Sequence, residues 1–518
     1  MNLLLILTVI GSLYLGANGA RILAVFPFEG RSHYNVYEPV VKRLAEKGHD
    51  VVSVTHFPSK VPTPNLTDVK ITLDLPKLND SDSFMKIMNA PWWARLQMML
   101  YYCGVVICDP VFQHSEMQKI IQSKEKFDVF IVEIFSTECF LGIAHTLDIP
   151  VVVGMISSVA VPWSNDIMRN PEIPSYIPNY LSGLTDKMNF FQRIQNTWHF
   201  LYTKTFYRYF SDKPSYKIAK KYLSDNLPDF DWLRSKISLI LANGHLTISP
   251  PRALAPGFKD VGGIHIPLSG PPPLPKDLQN YLDNQREDGV IYFSLGSQLD
   301  GTTMPEQVLV AFYRAFEQLP QQILWKCTEE KMPTLPRNVK CIEWAPQLSI
   351  LCHPNVRMFI THGGLLGTQE AVYCGVPMLG IPLFGDQHSN VAYSVKKGLA
   401  LELDYYGLSY ETISSALNEM LKNKSYGEVA QRASLQFRDR PIPPVEEGVY
   451  WIEYLIRHGP DSLKIEAANL TWYQYLLLDI VCVITAVILI VIWIIYKLVK
   501  LLFHSRRLRL LRSRKKFD

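Results

Sequence analysis

The sequence predicts an α/β protein: two doubly wound, mainly parallel units facing a cleft, followed by one membrane-spanning helix. Three observations predict it. Strand-length apolar runs alternate with helix-length segments twice along the chain, the pattern of repeated βαβ units. A stretch with Pro271, Pro272, Pro273 and Pro275 separates the two alternations and reads as a stiff linker. Near the end, Leu476 to Tyr496 holds 21 residues with one charge, Asp479. At ~1.5 Å per residue that is ~31 Å of helix, enough for a bilayer core of ~30 Å.

The first twenty residues carry no charge, run apolar from Leu3 to Leu15, and close on Ala17, Gly19 and Ala20. This is the form of a cleaved signal peptide, too short for a span, so the fold is expected to begin near Arg21. The first unit is then 21–268. Within it ILAVFPF (22–28) is a strand, Gly30 a turn, YEPVVKRLAEKG a helix and VVSVTHF a strand. FDVFIVEIF (127–135), a helix through Ala144 and IPVVVGM repeat the pattern. Residues 76–122 read as an irregular helical insertion, and Met155 to Asp231 shows no clean period. The linker is 269–277 and the second unit 278–440. There GVIYFSLGS, PEQVLVAFYRAFEQL, QILWKC, VRMFITHGG, LLGTQEAVYCG and PMLGIPLFG alternate strand and helix, with a helix from Asp386. Residues 441–475 form a helical return and juxtamembrane segment, 476–496 the span and 497–518 a cytosolic tail.

That tail decides the orientation. It holds nine Lys/Arg and one Asp, a net of +8, while the whole 518-residue chain carries only +4. The remainder is therefore mildly acidic, and a basic surface for nucleic acid is not expected. The positive-inside bias puts the tail in the cytosol and the body across the membrane. Lys515 and Lys516, fourth and third from the end, resemble a di-lysine retrieval signal of the endoplasmic reticulum. Sequons at Asn65, Asn79 and Asn423 fit a luminal body, whereas the one at Asn469 stands close to the span. Eight cysteines form no CxxC pair, which gives no support to a zinc ribbon or a thioredoxin-like site. One or two disulfides are compatible with them, and their pairing is not legible.

The chemistry concentrates after the strand ending at Ile360. Thr361-His362-Gly363-Gly364 opens a helix there. Two glycines let a ligand approach the backbone, and the free N–H groups of a helix N-terminus favour phosphate. Glu370 lies eight residues past His362, on a similar helical face. Pro377, Pro382 and Asp386-Gln387 follow, and Trp344-Ala345-Pro346-Gln347 and a Gly296-Ser297 turn precede. An aromatic for a base, a carboxylate for ribose, a helix end for diphosphate and an Asp-Gln pair for sugar hydroxyls describe a nucleotide-sugar site.

At this point the chain resembles the UDP-glycosyltransferases, the arthropod membrane-bound branch in particular. Phe359 to Gln387 fits the family signature throughout. Ser32-His33, Gly48-His49, Arg438-Asp439-Arg440-Pro441, the TWYQY segment and the basic tail extend the likeness over nearly the whole chain. The resemblance implies the glycosyltransferase type B fold, two Rossmann-like domains with the acceptor side first. It implies that Trp344 and Gln347 meet uracil and ribose and that Glu370 binds the ribose. It puts Ser297, His362 and Gly364 at the diphosphate, and Asp386 and Gln387 on the sugar. Relatives often carry Asn where this chain has Leu366, which leaves Thr368 and backbone donors to serve the phosphate. The UDP-sugar would be a co-substrate, with no metal or other cofactor. The remaining partners would be a small lipophilic acceptor and the membrane, with self-association left open.

Inverting transfer needs a base for the acceptor hydroxyl and an acid to orient that base. His33, in the loop after the first strand, is the expected base. Relatives place Asp at the end of the FDVxxxD strand; here Glu133 stands there, one methylene longer. Glu133 is the expected partner, Glu138 its rival, and Asp128 structural. His49 reads as a C-cap turn, and Asp229-Phe230-Asp231 as a chance likeness to a metal-binding DxD. Trp92 to Tyr102 could line an acceptor pocket, rest on a membrane or pack in the core. The expected activity is transfer of a hexose, glucose before glucuronate, with a non-catalytic binding protein on the same fold as the contrasting class.

Overall fold

The computed structural model describes residues 19–73, 89–123, 125–285, 287–296, 304–328, 332 and 334–514, and the chain divides into two compact units after Lys464. The larger unit holds two parallel sheets. The first comprises β1 (Arg21–Phe26), β2 (Asp50–Thr55), β3 (Leu66–Lys70), β4 (Val129–Glu133), β5 (Val151–Ile156), β6 (Ile237–Ala242) and β7 (Phe258–Asp260), ordered β3-β2-β1-β4-β5-β6-β7. The second comprises β8 (Val290–Ser294), β9 (Gln322–Lys326), β10 (Val339–Ile342), β11 (Val356–Thr361), β12 (Met378–Gly380) and β13 (Ala400–Glu402), ordered β10-β9-β8-β11-β12-β13. In each sheet the strand order reverses at the centre, between β1 and β4 and between β8 and β11. Ligands of doubly wound sheets bind outside the carboxyl ends of the strands at such points.

The central strands are apolar because helices cover both their faces. Ile22, Ala24 and Phe26 of β1 and Val129 and Ile131 of β4 pack under Tyr37, Val40, Val41 and Leu44 of the Arg31–Glu46 helix. Val449, Ile452 and Leu455 of the Pro444–His458 helix join the same core. Arg43 Nε donates to Glu446 at 2.7 Å and Lys47 Nζ to Glu453 at 3.1 Å, so this late helix is clamped to the first sheet rather than the second. In the second sheet Phe293, Phe312, Phe316 and Trp325 form a fully buried aromatic cluster. Each ring contributes about 2–3 kcal/mol of burial.

Five strands, β3, β6, β7, β10 and β13, are additions to the sequence pattern. So is an 18-residue helix, Phe190–Tyr207, inside the stretch expected to lack a period. Its N-terminus is closed by Asn189, whose side chain accepts from Gln192 N at 3.0 Å. In the insertion the Trp92–Leu100 helix buries Leu96 and Leu100, stacks Trp92 on His199 at 4.1 Å, and leaves Trp93 half exposed.

Three disulfides, Cys108–Cys139, Cys327–Cys341 and Cys352–Cys374, exceed the one or two expected; Cys103 and Cys482 are free. The pairs join residues distant in sequence but adjacent in the fold, which spacing alone does not reveal.

The smaller unit is dominated by a helix over Leu478–Arg514. Its Leu478–Arg506 portion contains an 18-residue stretch with a mean hydropathy of 3.1 and no buried share, and is long and apolar enough to cross a membrane. It starts two residues later than expected, after a left-handed Leu477 (φ 55°), and runs on into the basic tail. The expected leader, Asn79 and the terminal lysine pair lie outside the described residues. Asn65, Asn423 and Asn469 are exposed.

Candidate active site

The loop after β1 and the end of β4 meet at the first switch point. Gly30 caps the Arg31–Glu46 helix and lets the Phe28 ring lie over the turn, since a Cβ there would come within 2.5 Å of it. His33 sits in the first helical turn, its N–H donating to Gly30 O at 3.0 Å. Its ring lies between Phe28 and Phe135, with both centroids at 4.6 Å. Nδ1 is 2.6 Å from Glu133 Oε1, with side-chain exposures of 16% and 3%. A carboxylate accepting from Nδ1–H leaves the Nε2 lone pair as the basic atom.

Glu138, the rival, is occupied elsewhere. Arg234 Nη2 lies 2.5 Å from its Oε2 and also pairs with Asp212, forming a buried charge cluster. Asp128 accepts from Arg21 N at 2.7 Å and holds the start of its strand. His49 Nδ1 accepts from Ala20 N at 3.0 Å beside Gly48 (φ 94°), a turn contact as expected. Asp229 caps a helix by accepting from Trp232 N at 2.8 Å, and Asp231 pairs with Arg234 at 2.9 Å. Both DxD carboxylates thus have structural partners.

A further residue joins the dyad. Tyr37 Oη donates to Glu133 Oε1 at 3.0 Å, from one helical turn beyond His33. Burial, and secondly the Glu133 charge, hold its phenol well above the usual range. The signal in the sequence was its i, i+4 spacing from His33.

The second switch point carries the glycine-rich turn. His362 lies between Gly296 and Gly364, where a Cβ would approach its Nε2 to 2.7 and 2.5 Å respectively. Burial, with the Lys326 charge second, lowers the imidazole to about 4, so it is neutral at pH 7. Its Nδ1 is buried without a hydrogen-bond partner among the described residues. Lys326, which the sequence reading missed, donates from Nζ to Gly296 O at 2.8 Å at the mouth of this turn. Thr368 donates its hydroxyl to Gly364 O at 3.1 Å, which directs its proton into the helix. Leu366 packs against the apolar core of the first sheet. Ser297 lies outside the described residues.

Trp344 is 80% exposed and offers an open aromatic face. Behind it Gln347 Nε2 donates to Glu370 Oε2 at 2.6 Å, and Tyr292 Oη donates to Gln347 Oε1 at 3.3 Å. Burial pushes the Glu370 carboxyl up to about 7, against the opposing hydrogen bond from Gln347. Asp386 Oδ2 accepts from Asn390 at 2.8 Å. Burial raises its carboxyl, and His33 across the cleft opposes that rise. Gln387, itself buried, accepts at Oε1 from Leu383 N at 2.9 Å and Phe384 N at 3.1 Å. Tyr180, also unanticipated, stands near Asp386 and Ser158.

The two halves are tied by Gln369, which donates to Asn243 O at 2.8 Å and accepts from Gly263 N at 2.9 Å. The arrangement therefore sets an oriented histidine from one sheet near a carboxylate of the other, beside a helix N-terminus, a neutral histidine and a lysine suited to an anion.

Comparison with known proteins identifies the family and the fold. The family model described as "UDP-glucoronosyl and UDP-glucosyl transferase" matches residues 20–515. UDP-glucosyltransferase 2 of Dactylopius coccus is 37% identical over 510 residues, covering 97% of this chain and 96% of that protein. Human UDP-glucuronosyltransferase 2B15 is 31% identical over 527 residues, covering 98% and 97%. Among solved structures, Medicago truncatula UGT71G1 complexed with UDP-glucose superposes with a TM-score of 0.57 at 15% identity, covering 85% of this chain and 98% of that one. That likeness concerns the fold, the glycosyltransferase type B arrangement of two parallel sheets. The chain belongs to the UDP-glucuronosyl and UDP-glucosyl transferase family of enzymes.

Proposed function

We propose that the protein transfers glucose from UDP-glucose to a hydroxyl of a small lipophilic acceptor, with inversion at the anomeric carbon. The observation that carries this reading is the 2.6 Å contact from His33 Nδ1 to Glu133, which leaves Nε2 as the base. The acceptor O–H loses its proton to Nε2 as the oxygen attacks the anomeric carbon from the face opposite the nucleotide. The bond from that carbon to the diphosphate oxygen breaks, and the electron pair leaves with UDP. Glu133 stabilises the imidazolium, which then returns its proton to solvent.

Trp344 would stack on uracil, Gln347 and Glu370 would take the ribose, and Asp386 and Gln387 the sugar hydroxyls. Gly364, His362 and the Ser297 turn would hold the diphosphate, and Lys326 adds a positive charge there. These groups would meet the leaving-group charge without a metal, so a chelator should leave the rate unchanged. Phe28 and Phe135 beside the base favour a flat, apolar acceptor.

Glucose is favoured by the scale-insect relative named a glucosyltransferase, and the mammalian relatives make glucuronate the first competitor. The body would lie in the lumen of the endoplasmic reticulum. Protease protection and glycosidase-sensitive mass at Asn65 and Asn423 would test this; a body cleaved from the cytosolic side would refute it.

The decisive experiment offers phenols to membranes expressing the chain, with UDP-glucose, UDP-glucuronate or UDP-galactose, beside His33→Ala. A product heavier by one hexose, dependent on UDP-glucose and absent in the variant, is expected. UDP binding with no product from any donor would favour the binding-protein class instead.

A further inference from the structure

His265 belongs to the segment that follows β7 and leads into the linker, and the mechanism above gives it no task. Its side chain is only 6% exposed. Neither ring nitrogen has a hydrogen-bond partner among the described residues. A buried polar group left in this way costs about 1–3 kcal/mol, so it calls for an explanation. Nε2 points at Glu370 Oε1 from 3.6 Å, about 0.7 Å beyond hydrogen-bond length. The other Glu370 oxygen is held by Gln347 at 2.6 Å.

The backbone brings the ring there on purpose-built geometry. Gly263 adopts φ +85°, and its N–H reaches Gln369 Oε1 at 2.9 Å. Residues 263 and 265 therefore meet consecutive residues, Gln369 and Glu370, of one helix. Burial lowers the His265 imidazole to about 4, so it is neutral and offers a single N–H donor. A neutral donor suits the raised carboxyl of Glu370, because it stabilises the ionised form without adding a buried charge.

We propose that His265 is a positioning residue of the donor site, whose Nε2–H closes the 3.6 Å gap to Glu370 Oε1 when the nucleotide binds and so holds that oxygen in the orientation that accepts the ribose hydroxyls. This rests on the reading of Glu370 as the ribose ligand. It also makes the segment leading into the linker part of nucleotide recognition.

The test uses the full chain in membranes and inhibition of transfer by UDP and by 2′,3′-dideoxy-UDP. Wild type should prefer UDP. In Glu370→Ala that preference should vanish; its persistence would overturn the ribose reading itself. His265→Gln places an amide N–H near the Nε2 position, and His265→Asn places one near Nδ1. Gln should keep the preference within about twofold, whereas Asn should lose about tenfold of it, the worth of one hydrogen bond. Inhibition by dideoxy-UDP should be unchanged in both, which also reports that they fold. Equal weakening of both nucleotides in His265→Asn, or a preference intact in Asn while Glu370→Ala loses it, would overturn the role of His265 alone.

Discussion

On the first sheet the reactive groups satisfy one another: His33 and Tyr37 both bond Glu133 Oε1, at 2.6 and 3.0 Å. On the second some of them are left without partners. Among the described residues, His362 Nδ1 and both nitrogens of His265 are buried without hydrogen-bond partners, and Glu370 is pushed up to about 7 by burial. The difference follows from what each side must do. A base needs its orientation fixed before the acceptor arrives, so its partners belong to the protein. A site for a polar nucleotide must leave donors and acceptors unsatisfied, because the ligand completes them.

The comparison breaks most sharply at Glu133. Glu133→Gln keeps the shape but presents an amide, which removes the charge that stabilises the imidazolium. We expect kcat to fall by about 10³-fold, with the KM for UDP-sugar within about twofold, since that residue meets no part of the donor. Steady-state kinetics check it; an equal loss in both parameters would mean that the dyad also shapes the donor site.

Glu138, five residues on, supplies the structural counterpart. Its carboxylate is balanced by Arg234, which also holds Asp212, whose carboxyl burial and Glu138 push up to about 7. Arg234→Met leaves two buried acids without a cation and should cost about 3 kcal/mol of stability. Thermal denaturation should show the loss, while kcat/KM at a permissive temperature should stay near wild type. A large kinetic effect would instead implicate Glu138 in the reaction.

How far the sequence reveals this depends on the direction in which side chains face. β1, β4, β8 and β11 are buried on both faces, so their apolar runs are plain, and the motifs at their ends were legible with them. The Phe190–Tyr207 helix was not. Phe190, Phe191, Ile194, Trp198 and Leu201 are exposed, whereas Asn196, His199 and Thr203 are buried. Asn196 accepts from Asn179 N at 2.7 Å and donates to Ile177 O at 2.7 Å, and such polar anchoring inverts the pattern that periodicity detects. Glu133 was legible from its place at a strand end, but its preference over Glu138 needed Arg234, 96 residues away from Glu138. Lys326 and His265 were missed because each acts from outside the signature segment.

On the donor side the contrast can be titrated. If Glu370 must be ionised to accept two ribose hydroxyls, its raised carboxyl sets the pH at which the donor binds. Below about 7 the free site is increasingly protonated, and the KM for UDP-glucose should rise by about tenfold per pH unit. Above about 8 it should be flat. UDP-glucose has no ionisation of its own in that range, and Glu370→Gln should abolish the slope. A slope that survives the substitution would assign the titration to another group.

The smallest expected effect tests how the longer arm of Glu133 is steadied. An aspartate at that place would have one fewer rotatable bond, and Tyr37 supplies the restraint by donating to the oxygen that also meets His33. Tyr37→Phe removes one hydrogen bond to a carboxylate that keeps its other partner, so a loss of about fivefold in kcat is expected. A purely structural tyrosine could cause the same fall by loosening the core around Phe26, with which it stacks at 4.7 Å. The double variant with Glu133→Asp separates the two. If Tyr37 acts by steadying the glutamate arm, shortening that arm removes its task, and Tyr37→Phe should cost almost nothing in the Glu133→Asp background. If the losses multiply, the hydroxyl is acting through the core and not through the dyad.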